Sequence, residues 1–224
     1  MNVIAVMPAH EEASRIAQAI AAVLRYVPRV IVVDDGSHDD TARVAREAGA
    51  IVARHAVNRG QGAALKTGTQ AALRLGAEAI VHIDADGQHD PSFIPALLEP
   101  IAGRKADVTF GSRFLGHAES MPFMRRFLLI LARFFNAYVL GIPRAVSDPQ
   151  SGLRAMTAEA ARSINFSQDR MAHCSEILRL VTHSSLRWQE APIRIMYTPD
   201  SLHKGQKTKD ALKIVWQLFL GAFH

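Results

Sequence analysis

The feature that most constrains this chain is a rhythm in its first half, where short unbroken apolar runs alternate with segments of helical periodicity. Val3–Met7, Val30–Val33, Ile51–Ala53, Ala79–Ile83 and Val108–Gly111 read as strands. Ala13–Leu24, Thr41–Ala48, Ala63–Leu75 and a segment opened by Asp90-Pro91 read as helices. Strands separated by helices of this length build βαβ units and a parallel sheet. Helices then cover both faces of the sheet, which accounts for the continuous Val and Ile content of the strands. The helix ends carry matching punctuation: Asp39 or Asp40 before the second, Gly76 after the third, and Pro91 at the first position of the fourth. The expectation is an α/β fold with a mostly parallel central sheet and helices on both faces, Rossmann-like, in one domain with a helical C-terminal third.

Open sheets of this kind bind ligands outside the carboxyl ends of their strands. The polar clusters sit there: Pro8–Glu12 after the first strand, Asp34-Asp35-Gly36-Ser37 after the second, Asp84–His89 after the fourth and Gly111-Ser112-Arg113 after the fifth. Four clusters would converge on one edge. Asp84 and Asp86 at a strand end have the oxygen chemistry to hold Mg2+ or Mn2+, with Gln88 and His89 near enough to extend the shell. Such an ion would neutralise charge on a departing diphosphate. The alternative for Asp84-Ala85-Asp86 is an acidic loop that caps a helix. Asp35 is the candidate for binding ribose or base, since acids after such a strand bond ribose hydroxyls. Arg113 is placed to hold phosphate bidentately or to make a surface ion pair.

Other candidates leave two readings open. Asn58-Arg59-Gly60-Gln61-Gly62 opens a helix; it is either a phosphate-binding turn or an ordinary loop, and it matches neither the dinucleotide fingerprint nor the P-loop. Asp148–Gly152 either carries a carboxylate toward the acceptor or forms a turn. Glu176 is either a catalytic base or a solvated helical residue.

The chain has 224 residues, 49% of them apolar, and a formal net charge of +5. That balance suits phosphate-bearing ligands or an anionic membrane surface. The single cysteine, Cys174, excludes an intrachain disulfide and points to a reducing, cytoplasmic setting, with a buried structural thiol as its simplest role. The N-terminus lacks the pattern of a signal peptide, and no apolar run is long enough to span a bilayer. Met121–Leu140, with Phe123, Phe127, Arg125, Arg126 and Arg133, and Asp210–Ala222 read as helices that either pack in the core or lie on an anionic membrane face. Two shorter helices are expected near Ala158–Ser163 and Ser175–His183, with strand-like pieces in Trp188–Tyr197. Nucleic acid is not an expected partner, because no recognised module accompanies the charge.

Taken in order, Pro8-Ala9-His10-Glu11-Glu12, Val33–Ser37, Asn58–Ala64, Asp84–Gln88, Gly111-Ser112-Arg113 and Ser151-Gly152-Leu153-Arg154 resemble the motifs of the family-2 glycosyltransferases, which have the A-type fold. The resemblance is strongest to the dolichyl- and polyprenyl-phosphate sugar synthases, with a departure at Gln61, where the family often has Lys. It implies inverting transfer from a nucleotide sugar (a GDP- or UDP-sugar) to a lipid phosphate at a membrane face. It implies that Pro8, Ala9, Glu12, Asp35, Asp84 and Ala85 hold the nucleotide, and that Asp84, Asp86 and Gln88 handle metal and diphosphate. Asp86, Arg113, Asp148 and Glu176 become catalytic candidates; Arg113, Arg125 and Arg126 become candidates for the acceptor phosphate. The donor half would span about residues 1–115, and the acceptor- or membrane-facing half about 116–224. Two other readings compete: a nucleotidyltransferase that makes nucleotide sugars, disfavoured because Pro8–Glu12 is not a glycine-rich loop, and a non-catalytic basic module that binds membrane or nucleic acid.

Overall fold

The computed structural model describes residues 1–115, 138, 141–149 and 151–195. Strands β1 (Val3–Ala9), β2 (Arg29–Asp34), β3 (Ile51–Arg54), β4 (Ala79–His82) and β5 (Val108–Ser112) fall where the apolar runs predict them. Between them lie α1 (Ile16–Val23), α2 (Thr41–Glu47), α3 (Gln61–Arg74) and α4 (Ile94–Ala102), the last entered through a 3-10 turn over Pro91–Phe93. β6 (Arg154–Thr157), α5 (Ala158–Ser163), α6 (His173–Thr182) and β7 (Trp188–Pro192) follow.

The seven strands form one sheet in the order β3-β2-β1-β4-β6-β5-β7. β3, β2, β1 and β4 pair in parallel, and β5 is parallel to β7. β6 lies between β4 and β5 and is antiparallel to both. This strand was not expected. Arg154-Ala155-Met156-Thr157 is short and polar at both ends, so it carries no apolar run to betray it.

Side chains alternate between the two faces of the sheet. Val3, Ala5 and Met7 of β1 join Ile16, Ile20, Ile94 and Leu97 in one core. Ile4 and Val6 join Ala64, Leu65, Ile177 and Val181 in the other. Helices therefore cover both faces, as the unbroken strands require. The caps were legible in part. Asp39, not Asp40, bonds the start of α2, accepting from Thr41 N at 3.0 Å and Thr41 Oγ1 at 2.5 Å. Asp90 accepts from Ser92 N at 2.9 Å, and Gly76 follows α3 with φ +74°.

Met121–Leu140 (apart from Tyr138) and Asp210–Ala222, with Arg125, Arg126 and Arg133, lie outside the described residues. Among the described residues no helix is long and apolar enough to cross a membrane.

Candidate active site

The loops after β1, β2, β3, β4, β5 and β7, and the one before β6, all open on the carboxyl edge of the parallel strands. Hydrogen bonds stitch them together. Glu11 N donates to Ser37 Oγ at 2.9 Å and Glu12 N to Thr41 Oγ1 at 2.8 Å, so the first two loops are tied. Glu11 has φ +55° in this turn. Pro8 and Ala9 end β1 in register with Val33 and Asp34, and Ala9 O accepts from Asp35 N at 2.8 Å.

The two acids singled out in the sequence occupy the middle of this edge. Asp84 Oδ1 accepts from Gln61 Nε2 at 2.6 Å, and its Oδ2 lies 3.4 Å from His89 Nε2. Burial pushes the Asp84 carboxyl up, but the His89 bond and the charges of His89, His173 and Arg154 outweigh it and leave the pKa below the ordinary value. Asp86 goes the other way. Burial raises its pKa first, and the negative charge of Asp84 adds to this, with a smaller push from Glu12; only the bond from Gln88 N, 2.9 Å, and the charge of His89 oppose it. Asp84 and Glu12 thus set Asp86 in a negative field.

That field is what a divalent cation relieves. The donor set is carboxylate and amide oxygen, the chemistry of Mg2+ or Mn2+. Among the described residues no group of three His, Cys, Asp or Glu side chains is arranged to hold a metal ion. Two carboxylates with the remaining positions left to water and phosphate is the usual arrangement for Mg2+ at a phosphate site, so the residues fit.

Other expected residues turn out to be committed within the protein. Asp35 is a hub: Oδ1 accepts from Arg59 N at 3.0 Å and sits 2.7 Å from His55 Nδ1, while Oδ2 accepts from Gly60 N at 2.6 Å. A carboxylate has about four lone-pair sites, so capacity for one further bond remains. Ala85 points its side chain into the α1–α4 core, so it meets a donor only through its backbone. Arg113 and Asp148 are bonded to each other: Asp148 Oδ2 accepts from Arg113 Nε at 2.5 Å and from Arg113 N at 3.1 Å, with both side chains buried. Asp148 thus gives Oδ2 to Arg113, while its buried Oδ1 has no hydrogen-bond partner among the described residues. Glu176 is half-buried on its helix, and both its oxygens are engaged. They accept from Ser167 N (2.9 Å), Ser167 Oγ (2.8 Å) and Gln168 N (2.7 Å), which makes it the anchor of that loop.

The same loop settles the glycine segment. A Cβ at Gly62 would lie 2.1 Å from Gln168 O, and one at Gly60 2.4 Å from Asp169 O. Ala63 N donates to Asp169 O at 3.2 Å. With Arg59 N and Gly60 N given to Asp35, the start of α3 serves as a packing joint. Gln61 reaches Asp84 from this joint. Gly152 also abuts Asp84, since a Cβ there would lie 2.6 Å from Asp84 Oδ2. Both residues stand in motifs visible in the sequence, but nothing local announced that they meet Asp84.

Comparison with known proteins agrees with this geometry. A family model described as Glycosyl transferase family 2 matches residues 4–163. The UDP-N-acetylglucosamine–dolichyl-phosphate N-acetylglucosaminyltransferase of Methanococcus voltae is 30% identical over 96% of this chain and 94% of its own. The polyprenol monophosphomannose synthase of Mycolicibacterium smegmatis is 31% identical over 77% of this chain and 68% of its own. Among solved structures, glucosyl-3-phosphoglycerate synthase from Mycobacterium tuberculosis, crystallised with Mn2+, UDP-glucose and phosphoglyceric acid, superposes with a TM-score of 0.74. It is 22% identical, with 97% of this chain and 77% of that one covered, and at this distance the likeness is one of fold.

Proposed function

As this chain belongs to glycosyl transferase family 2, in the branch of the dolichyl- and polyprenyl-phosphate sugar synthases, we propose that it transfers a sugar with inversion from a UDP- or GDP-sugar to a polyprenyl-type phosphate. The observation that carries this is the pair Asp84 and Asp86 just after β4, where the negative charges of Asp84 and Glu12 press on Asp86 and a cation would relieve them. Asp84 and Asp86, with Gln88 beside them, are the residues to hold Mg2+ or Mn2+. The ion would neutralise charge on the leaving nucleoside diphosphate.

The chain's own residues then have separable tasks. Asp84 is oriented by Gln61 and His89. Asp35 fixes the loop over Arg59 and Gly60 and keeps capacity for a ribose or base contact. Pro8, Ala9 and Glu12 form the adjoining wall. Arg113, held by Asp148, puts a buried positive charge at the end of β5. Glu176, considered as a base, serves the Ser167 loop, and Asp148 gives one of its two oxygens to Arg113. This favours an acceptor whose oxygen arrives already anionic, such as a lipid phosphate, for which in-line attack needs no strong protein base. Contact with the cytoplasmic membrane face follows from such an acceptor, and the basic balance of the chain suits it.

The test is calorimetry with UDP and GDP, with and without Mn2+, followed by a donor screen against water, polyprenyl phosphate and a lipid extract. Mn2+-dependent binding of one nucleotide, and transfer to polyprenyl phosphate, are expected. If neither nucleotide binds in a metal-dependent way, the reading fails and a non-catalytic basic module takes its place.

Gly152 supplies a sharper probe of the same site. Gly152→Ala sets a methyl group against Asp84 Oδ2, so Mn2+-dependent nucleotide binding should weaken by about 10–100-fold, the range seen when groups that support metal ligands are disturbed. Titration calorimetry of the variant checks this, with its melting temperature as control.

A further inference from the structure

Arg154 is among the largest fully buried side chains, at 1% exposure. It starts β6 on the ligand edge, in register with His82 of β4 and Phe110 of β5. Strand alternation turns it toward the α3 and α6 face, the face that holds its neighbour Met156. There it meets a small polar cluster: His82, bonded to Thr69 at 2.8 Å, and the pair His173 and Cys174, 3.4 Å apart.

A buried guanidinium normally has a carboxylate partner. Arg154 has none among the described residues. Its Nε has no hydrogen-bond partner, and its one bond is a long one, from a terminal nitrogen to Cys174 Sγ at 3.9 Å. Burial pushes the Cys174 thiol up, but His173, and after it Arg154, hold it at about 7, so the thiol offsets the charge only in part. Asp84 adjoins this cluster: Gln61, which bonds its Oδ1 at 2.6 Å, stands beside Gly62, where a Cβ would lie 3.0 Å from His173 Cβ. Gly152, on the same short segment as Arg154, packs directly against that carboxylate.

We propose that Arg154 is a positioning residue of the donor site, a fixed buried positive charge that steadies Asp84 and favours a diphosphate over an uncharged ligand carrying the same base. The inference rests on the donor-site reading above and assigns a task to a residue that reading leaves unused. The charge reaches the site from below the sheet edge, through a medium of low dielectric, so it is screened less than a surface charge.

The experiment is a charge series. Uridine, UMP and UDP, and guanosine, GMP and GDP, are titrated into the full chain and into Arg154→Met and Arg154→Lys, in EDTA and again with Mn2+. Methionine fills similar space without charge, and Arg154→Gln repeats the series should the methionine variant not fold. Nucleoside affinity should stay within about twofold, while diphosphate affinity falls by about tenfold or more, with the monophosphate between. Arg154→Lys should recover most of the loss. Equal loss for nucleoside and diphosphate would mean that Arg154 only supports the fold, and overturns the proposal. So does an unchanged series in a wild type that binds. A wild type that binds no diphosphate overturns the donor-site reading, and the role of Arg154 with it.

Discussion

Asp86→Asn is expected to abolish sugar transfer while leaving the fold intact. The carboxylate makes one described internal hydrogen bond, from Gln88 N, and an asparagine oxygen can accept it equally. The substitution also removes a charge that burial and Asp84 already disfavour, so stability should hold or rise slightly. Transfer should suffer in proportion to the metal's share of the barrier. Several kcal/mol of charge neutralisation correspond to a rate loss of at least about a thousandfold. The measurement is the transfer rate at saturating Mn2+, set beside the thermal unfolding of the same sample. A variant that transfers at the wild-type rate would remove Asp86 from the metal site.

The second large effect is on stability. Asp148→Ala should leave Arg113 buried without the acceptor of its Nε and backbone N bonds. Removing one partner of a buried pair costs roughly 3–5 kcal/mol. At about 2–4 °C per kcal/mol for a chain of this size, the melting temperature should drop by roughly 6–20 °C. The neighbouring backbone is held separately, since Glu190 accepts from Ser147 N and Asp148 N, so the damage should centre on Arg113. Asp148→Asn, which keeps an oxygen acceptor, should lose less. Urea and thermal denaturation of both variants decide the matter. An Asp148→Ala protein as stable as the wild type would return Asp148 to candidacy as a group free to act on an acceptor.

These two residues mark the limits of what was legible beforehand. Asp86 could be read because its surroundings are local: an apolar run, a strand end, a second acid two positions away. Asp148 could not, because its partner lies on a strand distant in the chain, and a carboxylate in a turn looks the same whether or not an arginine waits for it. Glu176 repeats the lesson. It reads as a possible base on a helix, yet it spends both oxygens on Ser167 and Gln168. Asp35 stands at the carboxyl edge of the sheet, as its place after β2 predicts, but its hold on the glycine segment appears only when β2 and the start of α3 are brought together.

Hydrophobic periodicity and strand-end polarity were enough to set the α/β class, the five leading strands, the coverage of both faces and the edge on which the polar clusters gather. They succeed because each depends on neighbours a few residues apart, where the period of the backbone dictates which side chains share a face. The insertion of β6 between β4 and β5, the pressing of Gly152 against Asp84, the pairing of Arg113 with Asp148 and the buried charge of Arg154 were decided by tertiary structure alone. Each is a contact between distant segments, set by how the strands order themselves in the sheet, and a short strand such as Arg154–Thr157 draws its stability from the partners on either side of it and not from its own composition.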